Sequence, residues 1–367
     1  MPFIDVPAHH LCVHLLLDGV PYAGLLLILL ADARRDVFYV INPLEPATHP
    51  ALPASVDPAV QDPDVRCAPY EPDKPTLVFL HAGCRGVAVF NAQLLDPRLR
   101  SKYNVVAFTR QYHGRTRFSG DKKKPHTLDD AAKASIAFLD IFCTRFGIKQ
   151  YAVFAEGIQG CHVGTLLAIQ RSNQVLSLIL SSPGHLQIPG TPVEAGLIAM
   201  LDLLCQNKDG RGDGTGTIPE AALDENAVYC FSAVDGFKAA DRKKAHNEAF
   251  QRRYGTGHSS VDLKHLFLAE AHRVAISASE RAKVTCPVLI LHGTRDTLVS
   301  PLAAAKEWQS GFVNAKGGAE LKCISDGPHL LSFVDDNVVN RIILGFLSHT
   351  VCPDRFDRHI RCTAVIH

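Results

Sequence analysis

Tyr151-Ala-Val-Phe-Ala-Glu-Gly157-Ile-Gln-Gly-Cys161-His-Val-Gly-Thr-Leu-Leu-Ala168 opens as a short apolar run, turns at glycine and continues in a helical pattern. A short apolar run bounded by turn residues fits a strand buried on both faces. Similar runs lie on either side of it: Thr76-Leu-Val-Phe-Leu80, Asn104-Val-Val-Ala-Phe108, Ser177 to Leu180 and Pro287 to Leu291, with Glu320 to Ile324 as a weaker edge candidate. Between the first two and the quoted stretch, Thr127 to Phe142 reads as an amphipathic helix. Thr127 and Asp130 start it like a capping box, and Leu128, Ala132, Ile136, Leu139 and Phe142 form its apolar stripe. Strands alternating with helices predict a mostly parallel, doubly wound α/β sheet covered on both faces.

From Pro189 to about Arg281 the alternation stops. Helical stretches at Val193 to Cys205 and Leu263 to Ile276 flank the glycine- and aspartate-rich loop Asn207 to Gly216. This predicts a helical cap inserted into the core, and the Arg211-Gly-Asp213 triplet inside it reads as flexible loop. Pro43 to Pro75, rich in proline, alanine and aspartate, reads as an irregular surface loop.

The chain has 367 residues, 47% of them hydrophobic and 20% charged, enough to bury a large core. Its 38 basic and 37 acidic residues give a net charge of +1 and no field to gather nucleic acid or an anionic membrane. Eleven scattered cysteines without a Cys-x-x-Cys pair, and no Asn-x-Ser/Thr sequon, argue against disulfide, zinc-ribbon and glycoprotein readings. No carboxy-terminal address is visible in Arg361 to His367, so the expected location is cytoplasmic. His9, His10, Cys12 and His14 cluster in sequence, but no second group of spaced ligands completes a metal site; neither metal nor cofactor is expected.

Leu11 to Leu30 has the length of a membrane span, but Asp18 near its middle, Gly19 and Pro21 weigh against one. Phe3 to Val6 and Val37 to Asn42 look like an opening hairpin, which makes residues 11–35 an inserted segment or extra apolar helix. A membrane anchor and a sequence or splicing artefact are the alternatives. The expected organisation is an apolar segment or insertion over 1–36, core over 37–189, cap over 190–281, core again over 282–350 and a tail over 351–367.

Four stretches now stand in one order: His81-Ala-Gly-Cys-Arg-Gly86 after a strand, Ala155 to Gly160, Gly293-Thr-Arg-Asp296 and Asp326-Gly-Pro-His329. In that order, from about Val37 to Thr350, the chain resembles the α/β-hydrolase fold family in its lidded, esterase-like branch. The resemblance implies an oxyanion loop, a nucleophile elbow, an acid and a histidine. Gly83 or Cys84 and Ile158 would supply backbone donors to an oxyanion. Asp296 would hold His329 in the tautomer of a general base. Arg110 to Thr116 resembles the family's Arg-Gly-His-Gly-x-Ser/Thr turn with Tyr112 in place of glycine, and with Lys122 to Lys124 it reads as a solvated basic face. Cys161, one helical turn past the elbow, reads as packing.

Against the Gly-x-Ser-x-Gly elbow, Gly157 stands where the serine belongs, and Gln159 displaces the second glycine to Gly160. Three explanations fit. The chain is a serine hydrolase whose serine was exchanged; or a noncatalytic relative that binds a small apolar ligand under its cap; or His329 acts on substrate or water without a covalent intermediate. The implied ligand is a small hydrophobic acyl compound, such as an ester or lactone, by analogy at the level of fold.

Overall fold

The computed structural model describes residues 24–30, 33–44, 67–113, 116–118, 126–205, 218–231, 257–334 and 336–351, with 244, 246–248, 250, 251 and 254. Among the described residues, nine strands form one sheet: β1 (Gly24–Leu30), β2 (Ala33–Ile41), β3 (Thr76–Leu80), β4 (Asn104–Phe108), β5 (Arg117–Phe118), β6 (Tyr151–Glu156), β7 (Val175–Ser181), β8 (Val288–Gly293) and β9 (Ala319–Ile324). Their order is β1-β2-β4-β3-β6-β7-β8-β9, with β5 paired to β2. From β4 to β9 every pairing along that order is parallel, whereas β1, β2 and β5 pair antiparallel. This is the α/β-hydrolase fold that the sequence led us to expect.

The contiguous apolar runs follow from burial on both faces. β3, β4, β6 and β8 are buried at every residue. Side chains alternate between faces. Val78, Leu80, Val153, Ala155, Leu178 and Ile290 pack towards the helices Leu128–Phe146 and Gly157–Gln170. Leu77, Phe79, Ala152, Phe154, Ile179 and Leu289 pack on the opposite face, against Val339, Ile343 and Leu347 of the helix Asp336–Thr350. Each fully buried aliphatic or aromatic side chain contributes about 1.5–3 kcal/mol.

The crossover helix Leu128–Phe146 starts at Thr127, whose hydroxyl accepts from Asp130 N at 3.1 Å while the Asp130 carboxylate accepts from Thr127 N at 3.2 Å. It runs one turn beyond the expected end and stops at Gly147, where φ is +67°. The cap contributes helices at Pro192–Cys205, Glu220–Phe231 and Gly257–Ala271. Its apolar residues Val193, Leu197, Leu263 and Leu266 share a cluster with Cys84, Tyr112 and Ile158, so it sits directly over the carboxyl ends of β3, β4 and β6.

The opening segment differs from expectation. Gly24 to Leu30 is strand, not helix, and pairs antiparallel with β2 from Gly24↔Tyr39 to Leu30↔Ala33. A Leu/Ile run without periodicity fits helix or strand equally, and here the open edge of β2 selects strand. The expected boundary at residue 36 therefore falls inside β2. Phe3 to Val6, residues 11–23, the His9 to His14 cluster, Lys122 to Lys124 and Asn207 to Gly216 lie outside the described residues. Among those described, no helix is long and apolar enough to cross a membrane, and no three His, Cys, Asp or Glu side chains are grouped to hold a metal.

Candidate active site

β6 ends at Glu156, and the helix Gly157–Gln170 begins at the next residue. The junction turns on Gly157 at φ +71°, a left-handed conformation that costs a side-chain-bearing residue roughly 1–2 kcal/mol. A Cβ placed on Gly157 would point towards His329, 3.6 Å from Nε2, but would lie only 2.7 Å from the Ala82 methyl. The glycine displaced to 160 keeps the turn tight, because a Cβ there would come within 2.8 Å of the Leu80 and His81 carbonyl oxygens at the end of β3. Gln159, in the usual glycine position, instead donates upward to the cap, to Leu266 O at 3.3 Å and Glu270 Oε2 at 2.9 Å.

Asp296 and His329 come from loops after β8 and β9, and those loops touch. Gly293 lies so close to the second loop that a Cβ would sit 2.3 Å from Gly327 O, while Arg295 N donates to that same oxygen at 3.0 Å. Asp296 is fully buried. Its Oδ1 accepts from Val299 N and Ser300 N, each at 3.0 Å, and its Oδ2 accepts from His329 Nδ1 at 2.6 Å. That bond fixes the proton on Nδ1 and turns Nε2 towards residue 157. Burial works to raise the Asp296 carboxyl, but the His329 charge and the hydrogen bonds outweigh it and hold the acid below its ordinary range. Burial pulls His329 down, and Asp296, with Glu156 and Glu270 further off, more than offsets this, so the imidazole is raised.

Glu156 ties the elbow to the histidine segment: wholly buried, it accepts from Ser332 N at 2.8 Å, from the Ser332 hydroxyl and from Ser181 Oγ at 3.4 Å. Burial raises its carboxyl. Cys161 points into the sheet, its sulfur 3.3 Å from both Ala155 O and Ser181 O, so it is not aimed at the site.

Of the expected oxyanion donors, Ile158 lies in the first turn of the helix, where backbone N–H groups have no helical partner. Cys84 takes φ +56° in the loop after β3, and its thiol is pushed up by burial. Gly83 faces side chains: a Cβ on it would lie 2.8 Å from Gln159 Nε2 and 3.1 Å from Glu270 Oε2. The cap thus presses a carboxyl group against this loop. Glu270 is partly buried, and burial raises its carboxyl.

The reading of Arg110 as a solvated base is corrected. Its side chain is 3% exposed, donates to His81 O at 2.6 Å, and is pulled down to about 10 by burial. The reason is its place two residues past the interior strand β4, where Glu270 and Tyr254 of the cap lie near enough to act on its charge. Tyr112, where the resemblance expects glycine, holds φ +65° and stacks on His265 of the cap with ring centroids 5.0 Å apart. Ala82, Glu156, Glu270 and Arg273 escaped the sequence reading, since none carries a local signal and each acquires meaning only through neighbours distant along the chain.

A model of the serine aminopeptidase S33 family matches residues 71–333. No protein of curated function matches the sequence. Among solved structures, the enol-lactonase from Burkholderia xenovorans LB400 is similar at TM-score 0.61 and 14% identity, over 86% of this chain and 97% of that one. Est816, described as an N-acyl homoserine lactone degrading enzyme, aligns at TM-score 0.58 and 15% identity, over 85% and 97%. MGS-M2, an α/β hydrolase from a Medee basin deep-sea metagenome library, aligns at 0.62 and 13%, over 86% and 94%. At such identities the likeness is one of fold.

Proposed function

The chain belongs to the serine aminopeptidase S33 family of α/β-hydrolases, and from that premise we propose that its site binds a small hydrophobic ester or lactone beside an acid–base pair, Asp296 and His329, without attacking it covalently. One observation carries this reading. The Cβ direction at residue 157 ends 3.6 Å from His329 Nε2, where a nucleophile would stand, and residue 157 is glycine. In enzymes with such a triad, loss of the serine costs about a millionfold in turnover. The ester and lactone chemistry named for Est816 and the enol-lactonase supports the ligand class by analogy of fold.

Ala82 speaks against an isolated exchange of serine for glycine. A serine at 157 would begin 2.7 Å from the Ala82 methyl, closer than carbon atoms pack, so the two small residues fit as a pair. The hydrogen bond from His329 to Asp296 favours a second reading, in which the imidazole draws a proton from water attacking the bound acyl carbon.

Comparison of wild type, Gly157→Ser and Ala82→Gly/Gly157→Ser on p-nitrophenyl esters and short lactones tests both. The double variant is expected to gain hydrolysis that vanishes with His329→Ala. If it stays inert on the whole panel while its fold is intact, the acyl-site reading fails. Turnover by wild type that requires His329 would select the second reading.

A further inference from the structure

Arg110 and Arg273 are both more than nine-tenths buried, at 3% and 8% exposure. Arg110 spends Nη2 on His81 O, and Arg273 spends Nε on Leu186 O at 3.3 Å. Arg110 Nε and Nη1 and Arg273 Nη1 and Nη2 have no hydrogen-bond partner. Leaving a buried donor unmade costs about 1–3 kcal/mol, more for a charged group, so four such nitrogens call for an acceptor.

Among the described residues, Glu270 is the carboxyl group whose charge acts on both. Glu270 feels the charge of both arginines, yet neither guanidinium reaches it within hydrogen-bonding distance, and its Oε2 is taken by Gln159. Asp296 is occupied by His329 and two amides, and Glu156 by Ser332 and Ser181. Two guanidinium charges against one carboxylate leave local positive charge under the cap, where water screens little. Glu270 also lies against Gly83 in the loop beside Gly157. Arg110 donates to His81 O two residues before Gly83, and Arg273 N donates to Glu270 O at 3.4 Å, so both arginines stand next to groups that meet at the acyl site.

We infer that Arg110 and Arg273 form an anchor for a carboxylate, and that the acyl compound bound beside Gly157 therefore carries a free carboxylate of its own. The planar guanidinium fork matches a carboxylate in two parallel hydrogen bonds, which a neutral amide cannot return. The inference rests on the acyl-site reading for the ligand's other end, but the anchor itself can be tested without turnover.

The test is calorimetric titration and thermal shift of the wild-type chain with butyrate, hexanoate, adipate and benzoate, each against its primary amide, and with inorganic phosphate. Saturable binding of at least one carboxylate is expected, with its amide weaker by about tenfold or more. Arg273→Lys, which keeps the charge but loses the fork, and Arg110→Gln should each weaken it by about tenfold, with circular dichroism reporting the fold. Equal binding of acid and amide, or no binding of either, would overturn the inference and leave the guanidinium groups to buried water. Phosphate binding as tightly as the best carboxylate would overturn the carboxylate assignment. Failure here, with neutral esters cleaved by Ala82→Gly/Gly157→Ser, would remove the anchor and leave the acyl site standing.

Discussion

A Cβ on Gly157 would stand 2.7 Å from the methyl group of Ala82 and 3.3 Å from the Ala82 Cα. The loop after β3 and the turn after β6 are therefore fitted to each other at one carbon atom. Gly157→Ala should cost about 2–5 kcal/mol, combining overpacking with a side chain at positive φ. Ala82→Gly in the same chain should return the overpacking share of about 1–3 kcal/mol, leaving the backbone strain. Urea denaturation of the two single variants and the double variant measures that coupling. Additive effects would show that the two positions do not meet.

The bond from His329 to Asp296 gives stability a pH window. Asp296 is held below its ordinary range, so its contribution is present above the unfolded carboxyl pKa and fades as pH falls through the depressed value. His329 is raised, so its contribution is complete below the unfolded imidazole pKa and fades as pH rises through the raised value. Asp296→Asn should be most destabilising between these limits, by about 1.5–3 kcal/mol near pH 6, and less so at pH 9. Denaturation midpoints of wild type and variant across that range check the shape. A difference that stays flat with pH would mean that the pair is not ionised in the folded state.

Glu270 has the opposite sign. Burial raises its carboxyl despite Gln159 and the two arginines, so folding binds its proton more tightly than the unfolded chain does. Wild-type stability from this group falls as pH rises from the unfolded carboxyl pKa through the raised one. Glu270→Gln keeps a side chain of the same shape and removes that dependence. Its stability relative to wild type should rise from pH 4 to pH 8, as read by thermal unfolding in matched buffers. A constant difference would place the carboxyl in water, away from the Gly83 loop.

The parts legible in the sequence were those encoded locally. β3 and β4 fall at the predicted residues because each apolar run is bounded by turn residues and is buried on both faces. The elbow, Asp296 and His329 were placed by order along the chain, and the structure brings Asp296 and His329 within 2.6 Å. β1 was not legible, since a leucine-rich run has no period to separate strand from helix until β2 presents its edge. Arg110 reads as part of a solvated basic face because a chain of near-zero net charge argues against anion binding there, and its burial against His81 is a long-range contact that no local pattern announces. Glu270 lies 111 residues beyond Gln159, and no local pattern announces such a contact.

Gly293 and Gly345 should answer the same substitution with opposite signs. At Gly293 an added methyl would lie 2.3 Å from Gly327 O and 2.4 Å from Pro328 O, both backbone atoms that cannot rotate away. Gly293→Ala must therefore part the two loops whose contact sets Asp296 against His329, with a loss of about 1–3 kcal/mol from overpacking alone. Because that loss falls on the acid–base pair, the variant should also lose the pH window argued for Asp296. Gly345 lies in the helix Asp336–Thr350, and a Cβ there meets nothing within 4 Å. Gly345→Ala should stabilise the chain by about 0.5–1 kcal/mol, since alanine gives up less backbone entropy in a helix. Chemical denaturation of both variants decides the matter. If Gly293→Ala were neutral, the loops would have slack, and the 2.6 Å bond between Asp296 and His329 would have to be held by other contacts.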